Sequence, residues 1–148
     1  MTSNEQNQLE TTPYEALGGE VGLRRILVDF YDRLFADVMV GYFFRNSDKS
    51  HLVERQLQFM GKALGGPQEY QGLPLTAAHA PFPIRPGHFH RRHVLLADTL
   101  RDHHAPIWAA ERWLELDLRL RTSILQKHAV TLSCAAHDNP MAPPTSNE

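Results

Sequence analysis

Residues 75–82 read Leu-Thr-Ala-Ala-His-Ala-Pro-Phe, a short apolar segment with one histidine, His79, and a closing proline. The segment follows Gly65-Gly66-Pro67 after a stretch rich in proline and glycine. An imidazole in such apolar surroundings can bind a metal ion held in an apolar pocket. The segment therefore predicts a metal-binding histidine at position 79.

Apolar residues with helical spacing lie on both sides of this segment. On its N-terminal side, residues 23–34 and residues 50–64 each place apolar side chains on one helical face. On its C-terminal side, Pro86 and Pro106 can each occupy the first turn of a further long helix. Because no run alternates convincingly with a period of two, the sequence predicts an all-α fold class.

Short elements are predicted between these helices. Residues 38–44 form a turn or short helix that delivers Phe44, and residues 46–48 supply helix-capping side chains. Residues 74–80 are the one helical candidate in a region that is otherwise loop.

Length and composition predict one compact domain. A chain of 148 residues can bury enough core to enclose a ligand. We expect the domain at residues 13–134, with flexible tails at residues 1–12 and 135–148. The net charge of −2, the single cysteine and the lack of a long apolar run favour a cytoplasmic protein with no nucleic-acid or membrane partner.

Two polar side chains interrupt the apolar helix faces. Tyr31 and Gln56 each place a hydrogen-bonding group in a stripe that should face the core, and buried polar groups need partners. A ligand bound in a pocket would be one such partner. The alternative is a core tyrosine bonded to a backbone carbonyl and a glutamine at the edge of the core.

An ordered set of motifs over about residues 13–100 resembles the truncated haemoglobins, most strongly those of group I. The matching positions are Tyr14 to Gly19, Asp29-Phe30-Tyr31, Ala36-Asp37, Phe43-Phe44, Gln56, Phe59, Ala63 to Pro67, Tyr70, Gly72, Pro74, His79 and His88-Phe89. The resemblance implies a truncated globin fold, a two-over-two helical sandwich around haem b.

The resemblance also implies roles for individual residues. His79 matches the iron ligand, and Phe44 matches the ring packed against the haem. The positions expected near the bound gas, the haem or its access tunnel are Tyr31, Leu52, Gln56, Phe59, Met60, Phe89 and Arg92.

The sequence departs from the family pattern at three places. Arg92 stands where the family has an apolar residue or tryptophan, and it could donate to bound ligand, pair with a haem propionate or point to solvent. A small rotation of this helix would instead bring His93 to the iron as a sixth ligand. His51 adjoins the distal position, although the register favours Leu52. Residues 80–84 are more similar to the corresponding segment of the group II truncated haemoglobins than to that of group I.

The resemblance implies reversible binding of dioxygen, nitric oxide and carbon monoxide. The implied reaction is conversion of nitric oxide to nitrate, which needs a separate reductase because no flavin or nicotinamide motif is visible. Alternatives are a non-catalytic gas sensor or carrier, and a haem-free globin-fold interaction module. A further alternative is a zinc or nickel site built from His88, His90, His93, His103 and His104.

Overall fold

The computed structural model describes residues 11–138, with side chains described for residues 11–125. The described residues form helices and connecting segments without a strand, which confirms the all-α class. The helices are α1 (Pro13–Ala16), α2 (Gly19–Ala36), a 3-10 segment (Gly41–Phe44), α3 (Lys49–Ala63), α4 (Leu75–His79), α5 (Pro86–Asp102) and α6 (Ile107–Asp138).

Local sequence explains where these helices begin. Gly18 precedes α2 with a φ of 98°, a left-handed conformation that favours glycine. Asp48 caps α3, because its side chain accepts hydrogen bonds from the backbone N–H groups of Ser50 and His51. Pro86 lies in the first turn of α5, as predicted, and Pro106 directly precedes α6.

Four helices form the two layers of the sandwich. Helix α2 packs on α3, α5 packs on α6, and the two pairs meet where α2 contacts α5. The largest fully buried side chains at their centre are Leu23, Leu27, Phe30, Leu34, Met60, Leu96, Leu100 and Trp113. The short helices α1 and α4 both contact α6. This arrangement confirms the predicted two-over-two helical sandwich.

Two helix boundaries differ from the sequence-based expectation. Helix α2 starts at Gly19, four residues before the predicted apolar stripe, because residues 19–22 are Gly, Glu, Val and Gly and add no buried apolar side chain to the stripe. Helix α6 continues to Asp138 and so includes residues 135–138 of the predicted C-terminal tail. The remainder of that tail, and residues 1–10 of the predicted N-terminal tail, lie outside the described residues. Over the described part of the chain, no helix is both long and apolar enough to span a bilayer.

Candidate functional site

A cavity opens between α2, α3, α4, α5 and α6. Together with its open mouth it holds about 1220 Å³ of space unoccupied by protein. Most of its wall is apolar or aromatic, as in cofactor pockets. Eight of the nine sequence-predicted site residues lie on this wall: Tyr31, Phe44, Leu52, Gln56, Phe59, His79, Phe89 and Arg92.

His79 ends the short helix α4 and faces the cavity. Its Nδ1 lies 2.8 Å from the carbonyl oxygen of Leu75, so Nδ1–H donates to that oxygen. A neutral imidazole protonated on Nδ1 carries its lone pair on Nε2. Metal-binding histidines are commonly oriented by this kind of hydrogen bond from the other ring nitrogen.

Tyr31 lies on α2 with only 8% of its surface exposed. Its ring centroid is 6.2 Å from that of Phe44, and the two rings are perpendicular. The Phe35 ring stacks on the Phe44 ring, with centroids 5.2 Å apart. Burial raises the pKa of Tyr31, whereas the charge of Arg92 acts in the opposite direction. The hydroxyl is therefore neutral and able to donate near pH 7.

Helix α3 presents two different faces. Leu52, Gln56 and Phe59 line the cavity, whereas Met60 is fully buried in the core. Met60 is therefore not on the cavity wall, and its place near the haem or the access tunnel stays a prediction. One residue turns an α-helix by about 100°, so a position adjacent to Phe59 leaves the cavity wall. His51 is exposed, which agrees with the register that favours Leu52.

The loop after α3 is held against that helix. The Phe59 and Tyr70 rings meet edge to face with centroids 5.3 Å apart. The Tyr70 hydroxyl donates to the Leu73 carbonyl oxygen at 2.6 Å, and the Gln71 backbone N–H donates to Gln58 Oε1 at 3.1 Å. These contacts place Tyr70 on the cavity wall.

Arg92 turns inward from α5 and pairs with Asp117 of α6, a carboxylate that is only 2% exposed. The same carboxylate accepts a hydrogen bond from His93 at 2.8 Å between Nδ1 and Oδ2. The Arg92 guanidinium carbon lies 5.4 Å from the centre of the Phe30 ring. The alternative in which Arg92 points to solvent is therefore wrong. His93 is not on the cavity wall, so the structure does not favour it as an iron ligand.

Asp117 was not predicted from the sequence; it is off the cavity wall and pairs with Arg92, which is on it. Burial raises the pKa of this carboxyl, but the Arg92 charge and the hydrogen bonds from His93 and Arg92 lower the pKa further, to below its ordinary value. Asp117 is therefore ionised near pH 7. A signal was present, because Asp117 interrupts the helical stripe formed by Trp113, Leu120 and Ile124.

The histidines of α5 do not form a metal site. His88 lies on the cavity wall and accepts a hydrogen bond on Nδ1 from the Arg85 backbone N–H at 3.0 Å. His103 instead lies 2.8 Å from Asp29 of α2, and His93 bonds Asp117. Among residues 11–125, no group of three or more histidine, cysteine or acidic side chains could hold a metal ion. The predicted zinc or nickel alternative is therefore not supported there.

Comparison with known proteins agrees with this architecture. The family model described as bacterial-like globin matches residues 12–125. The chain belongs to the bacterial-like globin family.

This globin is similar to a group 1 truncated hemoglobin from Tetrahymena pyriformis. The two are 37% identical over 91 residues, which span 62% of this chain and 75% of the relative. The crystal structure of the Tetrahymena pyriformis protein in its Fe(III) form superposes with a TM-score of 0.73 at 31% identity, covering 77% of this chain and 97% of the other.

Two further solved hemoglobin structures resemble this globin. The 2/2 hemoglobin of Synechococcus sp. PCC 7002, in the cyanomet state with covalently attached heme, matches with a TM-score of 0.74 at 25% identity, over 78% of this chain and 99% of that one. The group II truncated hemoglobin of Bacillus anthracis matches with a TM-score of 0.68 at 29% identity, over 77% of this chain and 90% of that one. The predicted truncated haemoglobin resemblance is confirmed.

Membership in the family implies a haem-binding globin, and the cavity fits that group. The cavity lies among five helices and is lined mainly by apolar and aromatic side chains, as cofactor pockets are. The wall offers aromatic rings to a macrocycle and one histidine whose Nδ1 is already bonded to Leu75. Arg55 and His88 add cationic or donor groups that suit carboxylates.

Proposed function

We propose that this globin binds haem b through His79 and binds dioxygen, nitric oxide and carbon monoxide in the same cavity. The observation that carries the proposal is the joint placement of His79, Tyr31 and Gln56 on one largely apolar wall. The proposed reaction joins nitric oxide and dioxygen, with one electron, to form nitrate.

Haem, when bound, supplies the iron that activates dioxygen. The protein residues supply the surroundings. The Tyr31 hydroxyl and the Gln56 amide donate hydrogen bonds to a diatomic ligand, and these bonds are strong because few water molecules compete in an apolar cavity. Leu52 and Phe59 narrow the cavity beside them, and Phe44 would pack against haem when it is bound.

Repeated turnover needs an electron for each nitrate formed. A separate reductase is the proposed donor, in keeping with the absence of a flavin or nicotinamide motif in the sequence. A protein that binds dioxygen but consumes nitric oxide slowly would instead act as a gas sensor or carrier.

Absorption spectra of the purified protein in its ferric, dithionite-reduced and carbon monoxide-bound forms test haem binding. A Soret band that shifts on reduction, and again with carbon monoxide, is the expected result. A flat spectrum before and after addition of hemin would contradict the proposal and favour a haem-free interaction module. Stopped-flow mixing of the dioxygen-bound protein with nitric oxide, followed by nitrate measurement, then tests the reaction.

Substitution His79→Gly tests the ligand assignment. We expect the variant to lose stably bound haem, and added imidazole to restore part of the wild-type spectrum by entering the space left by the side chain. His51→Ala is the matched control, since His51 is exposed on α3 and lies off the cavity wall. Unchanged haem content and an unchanged ferrous spectrum in His79→Gly would show that another residue holds the iron.

A further inference from the structure

An exposed apolar patch adjoins the mouth of the cavity. Val38, Met39, Tyr42 and Phe82 are exposed, and we call these four residues the mouth patch. Val38 is 97% exposed and Tyr42 is 45% exposed. Phe82 is the most exposed of the described residues that line the cavity, so it marks the opening. Neighbouring apolar groups on a surface indicate an interaction site more often than scattered ones do.

Ring contacts join the mouth patch to the cavity wall. The Tyr42 ring stacks on the Phe43 ring with centroids 4.2 Å apart. Phe43 in turn meets Phe82 at 6.3 Å and His88 at 5.0 Å between ring centroids. Phe43, Phe82 and His88 all line the cavity. A protein bound at Tyr42 would therefore be separated from the cavity by a layer of rings.

Two arginines flank Tyr42. The Arg45 backbone N–H donates to the Tyr42 carbonyl oxygen at 3.5 Å. The Arg85 backbone N–H donates to His88 Nδ1 at 3.0 Å, and the His88 ring centroid lies 6.0 Å from that of Tyr42. Both arginines are exposed, and no carboxylate on a described side chain pairs with either. Their charges are therefore available to a partner.

A third arginine makes the surface beside Val38 positive. Arg91 pairs with Asp37, the residue before Val38, at 2.7 Å. The Asp37 side chain is 5% exposed and that of Arg91 is 39% exposed, so the cation of this pair faces solvent.

The sequence of this region has the same asymmetry of charge. Residues 70–97, which include α4 and most of α5, contain three arginines and four histidines but no aspartate or glutamate. The whole chain has a net charge of −2. Positive charge is therefore concentrated on this side of the cavity, where it steers a negatively charged partner toward the mouth.

We propose that the mouth patch, with the three arginines around it, docks an acidic one-electron carrier protein. This inference rests on the proposed function, which needs an electron for each nitrate formed. One electron passes from the reduced carrier to the ferric haem, so the carrier is oxidised by one electron and no bond or proton is transferred. Aromatic residues, methionine and arginine are the residue types enriched in protein interfaces.

The charges favour this carrier over two other occupants. A second copy of the chain would bring the same arginines face to face, and like charges across an interface oppose association. Membranes are bound through clusters of about four to eight Lys or Arg side chains, more than lie around the mouth patch.

The probe is plant-type ferredoxin, an acidic iron–sulfur protein that donates one electron. Anaerobic stopped-flow absorption measures the second-order rate constant for reduction of the ferric haem-loaded protein by reduced ferredoxin. Measurements at about 0.01 M and 0.5 M ionic strength show how far charge steers the encounter, because salt screens it. We expect the wild-type rate constant to fall at least about tenfold at the higher ionic strength.

Val38→Glu tests the centre of the mouth patch. Because Val38 is almost fully exposed, the substitution should leave the fold intact. The new carboxylate should repel the carrier and lower the rate constant about tenfold at low ionic strength. The matched control is Val21→Glu on α2, where the valine is 71% exposed and lies off the cavity wall. The control has the same net charge and should be reduced as fast as the wild type.

Arg45→Gln with Arg85→Gln tests the rim of the patch. The rate constant should fall about tenfold at low ionic strength and change little at high ionic strength. Arg25→Gln with Arg112→Gln is the matched control, since both arginines are exposed and lie off the cavity wall. It removes the same two charges and should lower the rate constant less than about twofold.

Docking also has a readout that needs no electron transfer. Oxidised ferredoxin added to the carbon monoxide-bound protein should shift or broaden the backbone amide NMR signals of Val38, Met39 and Tyr42 before those of α6. Changes confined to another face would overturn the docking surface, as would equal rate constants in Val38→Glu and Val21→Glu.

Two further results would overturn the proposal by assigning the patch to another occupant. A dimer in sedimentation that Val38→Glu abolishes would assign the patch to a second copy of the chain. Binding of the wild type, but not of Val38→Glu, to vesicles of equal parts phosphatidylserine and phosphatidylcholine would assign it to a membrane. Failure of the proposed function is distinguishable, since a protein without a Soret band fails before the carrier is added. A protein that dithionite reduces but ferredoxin does not would contradict the docking surface alone.

Discussion

Tyr31 combines rigid packing with a polar group at the cavity. Its ring meets Phe30 at 5.6 Å and Phe44 at 6.2 Å between centroids, both edge to face. These contacts involve the ring, so they persist when the hydroxyl alone is removed. The residue therefore allows the hydrogen bond to a ligand to be tested without loss of packing.

Substitution Tyr31→Phe should retain haem and release dioxygen about ten- to a hundredfold faster, because a hydrogen bond to a partly charged ligand is lost. Stopped-flow displacement of dioxygen by carbon monoxide measures this rate. Tyr70→Phe is the matched control, since Tyr70 also lines the cavity but its hydroxyl donates to Leu73. Equal release rates in wild type and Tyr31→Phe would remove Tyr31 from the proposed distal role.

At the scale of elements, one buried ion pair joins α5 to α6. Arg92 and Asp117 face each other across this helix pair, and His93 adds a third contact. Loss of one partner leaves a buried charge without compensation, which is more costly than loss of both.

Asp117→Leu alone should lower the free energy of unfolding by about 3–5 kcal/mol, because Arg92 then remains in the core without its partner. The double substitution Arg92→Met with Asp117→Leu should recover most of that loss through apolar packing. Urea unfolding of the apoproteins at neutral pH measures both values. A double variant no more stable than the single one would show that the cost comes from lost packing around residue 117.

The junction of α1 and α2 depends on close backbone approach. A Cβ built on Gly22 would lie 2.0 Å from the Leu17 carbonyl oxygen, a distance that the backbone cannot accommodate without moving. The glycine therefore lets the start of α2 pack against the end of α1.

Gly22→Ala should destabilise the fold by about 1–3 kcal/mol, the range for an overpacked site. Gly87→Ala in the first turn of α5 is the matched control, because a Cβ there meets nothing within 4 Å. The control should be neutral or slightly stabilising, since alanine restricts the unfolded chain. Thermal unfolding followed by circular dichroism compares the two variants, and equal midpoints would exclude the close contact as a constraint.

At the scale of the whole molecule, aspartates connect separate helices. Asp29 of α2 contacts Arg33 and also His103, which follows α5. Asp37, after α2, pairs with Arg91 of α5 at 2.7 Å and accepts hydrogen bonds from two backbone N–H groups. The Arg33 hydrogen bond lowers the pKa of Asp29, and the Arg91 hydrogen bond lowers the pKa of Asp37.

These lowered pKa values predict acid sensitivity. A carboxyl whose pKa is lower in the folded than in the unfolded chain contributes stability above its unfolded pKa and loses it as pH falls through the folded pKa. For Asp29, Asp37 and Asp117, this loss begins near the ordinary aspartate value of about 4 and grows below it. The free energy of unfolding, measured with urea at about pH 7, 5 and 3, should change little between pH 7 and pH 5. It should be markedly lower at pH 3.

The Arg92→Met and Asp117→Leu double variant provides the control for this pH series, because it lacks one of the three carboxylates. Its stability should fall less steeply below about pH 5 than that of the wild type. Identical slopes would show that Asp117 has the same pKa in the folded and unfolded chains.

Local patterns in the sequence specify the helices and their caps. Helical spacing, Asp48 and Pro86 act within a turn or two of the chain, so they can be read without knowledge of the fold. The family resemblance selected His79 and Tyr31, which the structure places on one cavity wall.

Which face of each helix meets the cavity depends on the tertiary packing. Met60 and Phe59 are adjacent in sequence, yet one is in the core and the other lines the cavity. Arg92 and Asp117 are 25 residues apart, and their pairing exists only because α5 packs on α6. A rotation of about 100° per residue and contacts between distant segments are set by packing of the whole chain, so local spacing cannot specify them.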